Sequence, residues 1–123
     1  MPTVLEQLKA FTVVVADTGD FESIKKFRPR DATTNPSLIA AAAAMPQYQN
    51  VVDNALKWAK QESKDKSNKA VAALACDRLA VEFGTEILKV VPRRVSTEVD
   101  ARISFDTNAS IDKARFLIGM YER

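Results

Sequence analysis

The sequence predicts an α/β fold of parallel strands covered by helices, and more narrowly part of a (β/α) barrel. Three observations carry that reading. Short β-branched runs alternate with stretches of helical period, in the order α-βα-βααα-βα. Strands separated by helices pair in parallel through right-handed crossovers. Only three strands can be read in 123 residues, and the last predicted element is a helix, whereas a closed (β/α) barrel takes about 250 residues. The whole span 1–123 therefore reads as part of one barrel domain, about three βα units behind an extra helix.

Each element has a local cause. Thr3 and Glu6 fit a capping box for a first helix to about Lys9, with Leu5 and Leu8 inward. "TVVVAD", residues 12–17, is β-branched and bounded by "TGD", a strand signature. Asp20 fits as the cap of a helix through Arg28, with Phe21, Ile24 and Phe27 on one face and Pro29 ending it. A short second strand falls around Ala32–Thr34. Asn35 and Pro36 suit a helix start at N-cap and first position, and that helix runs to Met45 ahead of Pro46. Tyr48, Val51, Val52, Ala55 and Ala59 recur at helical spacing up to Ser63. Ala72, Cys76, Leu79, Phe83, Ile87 and Val90 mark another helix, with a bend expected at Gly84. "RVSTEVD", residues 94–100, reads as the third strand. Ile111, Ala114, Ile118 and Tyr121 define a last helix capped by Asp106 or Thr107.

Composition narrows the function classes. Apolar residues make up 46% and charged residues 28%, which suits a globular, soluble chain. Net charge is +2, and the cations are interleaved with acids, so no nucleic-acid partner is expected. The most basic-looking run, "ESKDKSNK", carries Glu62 and Asp65 and reads as a solvated loop. No apolar run approaches the ~20 residues of a membrane span, and the N-terminus has no signal-peptide pattern. The expected location is the cytoplasm. The one cysteine, Cys76, lies in the helical pattern "AALACDRLA" and is expected to be a buried structural thiol. With no histidine, no metal constellation and no Ser-His or Cys-His nucleophile can be assembled.

In parallel α/β folds the reactive groups stand at the carboxyl ends of the strands. Asp17 ends the first strand, Asn35 follows the second, and Glu98 lies near the end of the third. Alternation puts Val13, Val15 and Asp17 on one face, and Ser96 and Glu98 on one face of the third strand. That polar face should point into the barrel, where a bare carboxylate is costly. Two readings stay open for each residue. Asp17 either caps the following turn or serves chemistry; Glu98 either pairs with a base such as Arg102 or serves chemistry; Asn35 either caps its helix or reaches a substrate.

"DATTNPSLI", residues 31–39, resembles the first signature of the transaldolase family at every position. "TVVVADTGD" and "RVSTEVDARISFDT" resemble transaldolase segments in the same order and at family-like spacing, nearest the pentose phosphate pathway branch. The resemblance runs from about Leu5 to the last residue. It implies a single (β/α) barrel with an extra N-terminal helix, and transfer of a dihydroxyacetone unit between ketose and aldose phosphates. The implied reaction converts sedoheptulose 7-phosphate and glyceraldehyde 3-phosphate into erythrose 4-phosphate and fructose 6-phosphate, through a lysine Schiff base with no metal or organic cofactor. It further implies Asp17 and Glu98 as catalytic proton carriers, Glu98 acting through a water. It implies Asn35 as a substrate-binding residue on the dihydroxyacetone unit, with Thr33 as a second such candidate. Carbinolamine dehydration and carbon–carbon cleavage each move a proton, so groups of these types are what the chemistry requires.

One departure is large. The lysine the resemblance calls for lies on a fourth strand, past Arg123, and none of the predicted strands contains lysine. The family's phosphate-binding arginine also lies further on, while Arg30, Arg93 and Arg94 precede their strands and so fall at the opposite end. The chain is therefore expected to be the N-terminal portion of a transaldolase, inactive alone and prone to self-association or homo-oligomers. The competing expectation is a non-catalytic, helix-rich interaction module that keeps the inherited residues, its open sheet edge serving as a pairing site.

Overall fold

A computed structural model describes residues 1–122. Strands β1 (Val15–Asp17), β2 (Asp31–Thr33) and β3 (Val95–Ser96) form a parallel sheet in that spatial order. Helices α1 (Val4–Phe11), α2 (Phe21–Phe27), α3 (Pro36–Ala43), α4 (Gln49–Glu62), α5 (Asn68–Leu88) and α6 (Thr107–Tyr121) complete the chain with two short 3₁₀ turns, Pro46–Tyr48 and Ala101–Ile103. Register is set by Ala16 opposite Ala32 and Asp17 opposite Thr33, then by Ala32 opposite Val95 and Thr33 opposite Ser96. All three strands therefore end at one edge of the sheet.

The strands are shorter than the β-branched runs that announce them. Residues 12–14 and 97–100 lie outside the ladder. Pleat alternation nevertheless holds through these flanks: Val13, Val15, Asp17, Ser96 and Glu98 are exposed, while Ala16, Val95, Thr97 and Val99 are half-buried. Helices cover the second set. Ala32 packs with Ile24 of α2 and with Ile87 and Val91 at the end of α5. The first face has no covering layer among the described residues. Val13 and Val15 are accordingly 44% and 46% exposed, where a complete parallel sheet is covered on both faces.

Helix α5 is the spine of the helical layer. Its Val81, Phe83 and Ile87 each anchor a different buried cluster. Phe83, with no exposed surface, meets Tyr48 edge-on at 5.5 Å and Phe21 at 6.0 Å, distances at which aromatic pairs add to simple burial. The helix runs unbroken through Gly84. The glycine is there for space rather than for a bend: a Cβ on it would run into the Tyr121 hydroxyl of α6 and come within 2.8 Å of the ring carbon Cζ.

Several inward faces differ from their expected positions. Cys76 and Ala72 are exposed and Ala75 is buried, so the buried stripe of α5 is rotated from the expected one and Cys76 is not a core thiol. An alanine-rich helix offers little contrast from which to phase its period. Leu8 and Phe27 are exposed, and α1 buries no side chain. That helix is held by its Thr3–Glu6 capping box and by Lys9, whose ammonium donates to the carbonyls of Phe27 and Arg28 at 2.7 and 3.2 Å. Pro46 opens a 3₁₀ turn that leads directly into α4, so the chain continues helically past it. Asp106 rather than Thr107 caps α6, accepting from the Ala109 amide at 2.9 Å.

Candidate active site

The carboxyl edge of the sheet gathers the polar residues that alternation puts on its open face. The Thr33 hydroxyl donates to Asp17 Oδ1 at 2.8 Å, across the register pair that joins β1 to β2. Asp17 is thus oriented by a neighbouring strand and does not cap the turn after it. Thr33 is also in register with Ser96, so Asp17, Thr33 and Ser96 form one row across three strands. Ser96 joins this row although the sequence did not single it out as a site residue. The signal for it was its shared face with Glu98.

Asn35 and Glu98 lie two residues further along their segments, one pleat above that row. Both line a cleft of about 470 Å³ between the strand ends, α3, α5 and the segment around the second 3₁₀ turn. Asp17 is not among the residues lining it. Asn35 Oδ1 accepts the Leu38 amide at 2.9 Å and so caps α3. The cap consumes the carbonyl oxygen of the side chain and leaves the amide NH₂, two donors, for another partner. Capping and binding are therefore compatible in one residue.

Glu98 forms no ion pair with Arg102. Arg102 instead holds Asp100 in a fork: Nε donates to Oδ1 at 3.0 Å and to Oδ2 at 2.9 Å, and Nη2 pairs with Oδ2. The bidentate match and the two-residue loop spacing favour Asp100 over Glu98. Hydrogen bonds from the Arg102 side chain and backbone bring the Asp100 carboxyl down to about 2. Beneath the cleft, Thr34 is buried; its amide and hydroxyl both donate to the Ser96 carbonyl, at 3.0 and 3.2 Å. Thr97 also lines the cleft and shares a 2.6 Å hydrogen bond with Tyr121 Oη. These contacts lock β2 and β3 from the helix side while their open-face side chains stay available.

One polar pair just behind this edge is also absent from the sequence reading. Asp20, at the N-cap position of α2, makes no side-chain cap bond. Its carboxylate accepts from the Ser23 hydroxyl at 2.6 Å and from Tyr48 Oη at 2.5 Å. Those bonds lower the Asp20 carboxyl from its ordinary range, Ser23 first. Burial, and then the bond to Asp20, push the Tyr48 phenol up to about 12. Tyr48 is 2% exposed and tied to Phe21 at 4.3 Å, so the pair pins the β1–α2 loop to the start of α4.

Strands β1, β2 and β3 hold no lysine. No group of three or more His, Cys, Asp or Glu suited to a metal ion occurs among the described residues, and no described helix is long and apolar enough to cross a membrane.

Comparisons with known proteins point to one family. A family model described as Transaldolase/Fructose-6-phosphate aldolase matches residues 14–123. A protein named Transaldolase from a Synechocystis species is 62% identical over 120 residues, which is 97% of this chain and 31% of that protein. The Transaldolase of Nostoc punctiforme is 60% identical over 96% of this chain and 36% of its own length. Transaldolase A of Escherichia coli is 56% identical over 97% of this chain and 37% of its own. The chain spans about a third of the length of the curated relatives it matches.

Proposed function

The chain belongs to the transaldolase/fructose-6-phosphate aldolase family, and on that premise we propose that it supplies the substrate-orienting and proton-moving face of a cytoplasmic transaldolase. In this reading residues 1–123 are about the first three βα units, with an extra N-terminal helix, of one (β/α)8 barrel domain. The reaction is dihydroxyacetone transfer between sugar phosphates, with the covalent bond made by a lysine this chain does not carry.

The observation that carries the proposal is the polar row at the carboxyl edge, with the Thr33 hydroxyl fixed on Asp17 at 2.8 Å and Asn35 and Glu98 one pleat above. Asp17, turned by Thr33, takes and returns a proton in the covalent steps. The amide NH₂ of Asn35 donates to a hydroxyl or carbonyl of the dihydroxyacetone unit while its oxygen stays on α3. Glu98 acts through a water as general acid and base. The three strands offer no amine for an imine, so the chain by itself does not complete the transfer.

The test is a chimera. The matching N-terminal segment of Escherichia coli Transaldolase A, 56% identical, is replaced by this chain, and transfer from fructose 6-phosphate to erythrose 4-phosphate is measured. An active chimera is expected, in which Asp17→Asn or Glu98→Gln costs about 10²–10⁴-fold in kcat, the usual worth of a positioned acid or base. A folded, active chimera indifferent to all of Asp17→Asn, Asn35→Ala and Glu98→Gln contradicts the roles.

A further inference from the structure

We propose that the opposite, amino-terminal edge of the sheet is a docking surface for an acidic, aliphatic segment of a partner protein. Two turns meet there. "KKFRPR", residues 25–30, leads from α2 into β2, and "KVVPRR", residues 89–94, leads from α5 into β3. Together they hold seven basic side chains in twelve residues and no acid, so the other 111 residues hold eleven bases and sixteen acids. A chain of net charge +2 is thus strongly bipolar.

The two turns are neighbours because β2 and β3 pair in parallel: the Ala32 amide donates to the Arg94 carbonyl at 2.9 Å, and the Arg94 amide to Asp31 at 3.0 Å. All seven cations are exposed. Only Arg30 and Lys89 form ion pairs among the described residues, with Asp31 and Glu86. Favourable charge at helix C-termini accounts for Lys25, Lys26 and Lys89, which lie in a last turn or at its cap. It does not account for four arginines at or beyond those ends. Arg28 is fixed in the left-handed region, φ 49°, between a helix end and the buried Pro29. A non-glycine residue there is uncommon, and it holds the first turn in one shape.

The ground between the cations identifies the partner. A cleft of about 520 Å³ is walled by Thr12, Val14, Pro29, Val90 and Pro92, with Lys9, Arg28 and Arg30 on its rim, and its lining contains no aromatic ring. Single-stranded nucleic acid is held by successive bases stacking on several aromatic side chains, whereas the two turns offer one exposed ring, Phe27, with the Lys26 ammonium over it at 5.4 Å. Carboxylates spaced by aliphatic side chains match the cleft: the acids reach the arginines, which favour bidentate carboxylate contacts, and the aliphatic groups cover the valines and prolines.

The probe is a short fluorescein-labelled peptide alternating Glu with Leu, titrated with the full chain and followed by anisotropy. Binding is expected at low salt and should weaken steeply as the salt rises past physiological strength, as surface charge is screened. Lys26→Gln/Arg93→Gln/Arg94→Gln should lose about tenfold or more in affinity, with its helical circular dichroism unchanged. Lys57→Gln/Lys60→Gln/Lys64→Gln, of equal charge change on α4 and the loop after it, should bind as the parent does. Absent or salt-insensitive binding overturns the proposal. So does an equal loss in both variants, which would mean net charge alone. Tighter binding of a thymidine oligomer of the same length overturns the choice of a protein partner.

Discussion

Gly84 is the residue whose replacement has the clearest structural consequence. The Tyr121 ring fills the space where a side chain would start, and its hydroxyl ties α6 to Thr97. Gly84→Ala should destabilise the chain by about 1–3 kcal/mol, the usual cost of overpacking, although alanine is the better helix former. Adding Tyr121→Phe removes the hydroxyl that clashes and should recover part of that loss, a coupling that a denaturation double-mutant cycle reads directly. The Tyr48–Asp20 pair makes a pH-dependent prediction. A phenol raised to about 12 when folded and near 10 when unfolded contributes stability that is fully present below about pH 10. That stability is lost as pH rises toward 12. Asp20, lowered when folded, contributes stability present above the ordinary aspartate range and lost as pH falls through its folded value. Urea midpoints across pH should therefore fall at both ends, and Tyr48→Phe should shrink the alkaline fall, the remainder belonging to Tyr121, whose phenol burial also raises. A Tyr48→Phe chain that keeps the alkaline fall undiminished refutes the assignment. None of this was visible in sequence, because a 28-residue separation between Asp20 and Tyr48 carries no periodic signal.

Helix α3 separates the two duties of Asn35. Loss of an N-cap costs about 0.5–2 kcal/mol, so Asn35→Ala should lower stability by about 1 kcal/mol, while Asn35→Asp and Asn35→Ser should hold it. In the active chimera both capping variants lose the amide donor, so activity should fall while stability stays. Equal activity in the parent and Asn35→Ser would leave Asn35 as a cap only. The elements themselves were largely readable where a local rule fixes them. The Thr3–Glu6 box, the Asn35-Pro36 start and the Asp106 cap act within one turn, and all three are in place. The placement of the candidate residues was readable for the same reason, since pleat alternation is local and leaves Asp17 and Glu98 exposed. What failed depended on neighbours. Which side of α5 is buried is decided by α3, α4 and α6, not by a stripe of alanines. Which acid holds Arg102 is decided by the turn at Ala101–Ile103. The basic edge was hidden because its two halves lie some sixty positions apart, and a chain-wide count averages them with the acids elsewhere.

The molecule as a whole presents a sheet with both outer strands unpaired on one side and one face uncovered. Val13 and Val15 are 44% and 46% exposed, and Phe11 of α1, Phe105 before α6, and Phe116 and Ile118 of α6 stand exposed as well. Full burial of such a side chain contributes about 1.5–3 kcal/mol, and a domain's net stability is only about 5–15 kcal/mol. Forgoing several leaves little margin. An unpaired strand edge is also a template for association. The chain is therefore expected to give helical circular dichroism, a broad and weakly cooperative melt, and a mass above monomer by light scattering. A sharp two-state transition in a clean monomer would mean that this is a complete fold of another kind. The most direct single test of the division of labour proposed here, an orienting face without its nucleophile, is borohydride reduction with fructose 6-phosphate, read by intact mass. The isolated chain should remain unmodified while the chimera with Transaldolase A gains one reduced dihydroxyacetone adduct; a stoichiometric adduct on any lysine of the isolated chain would contradict it.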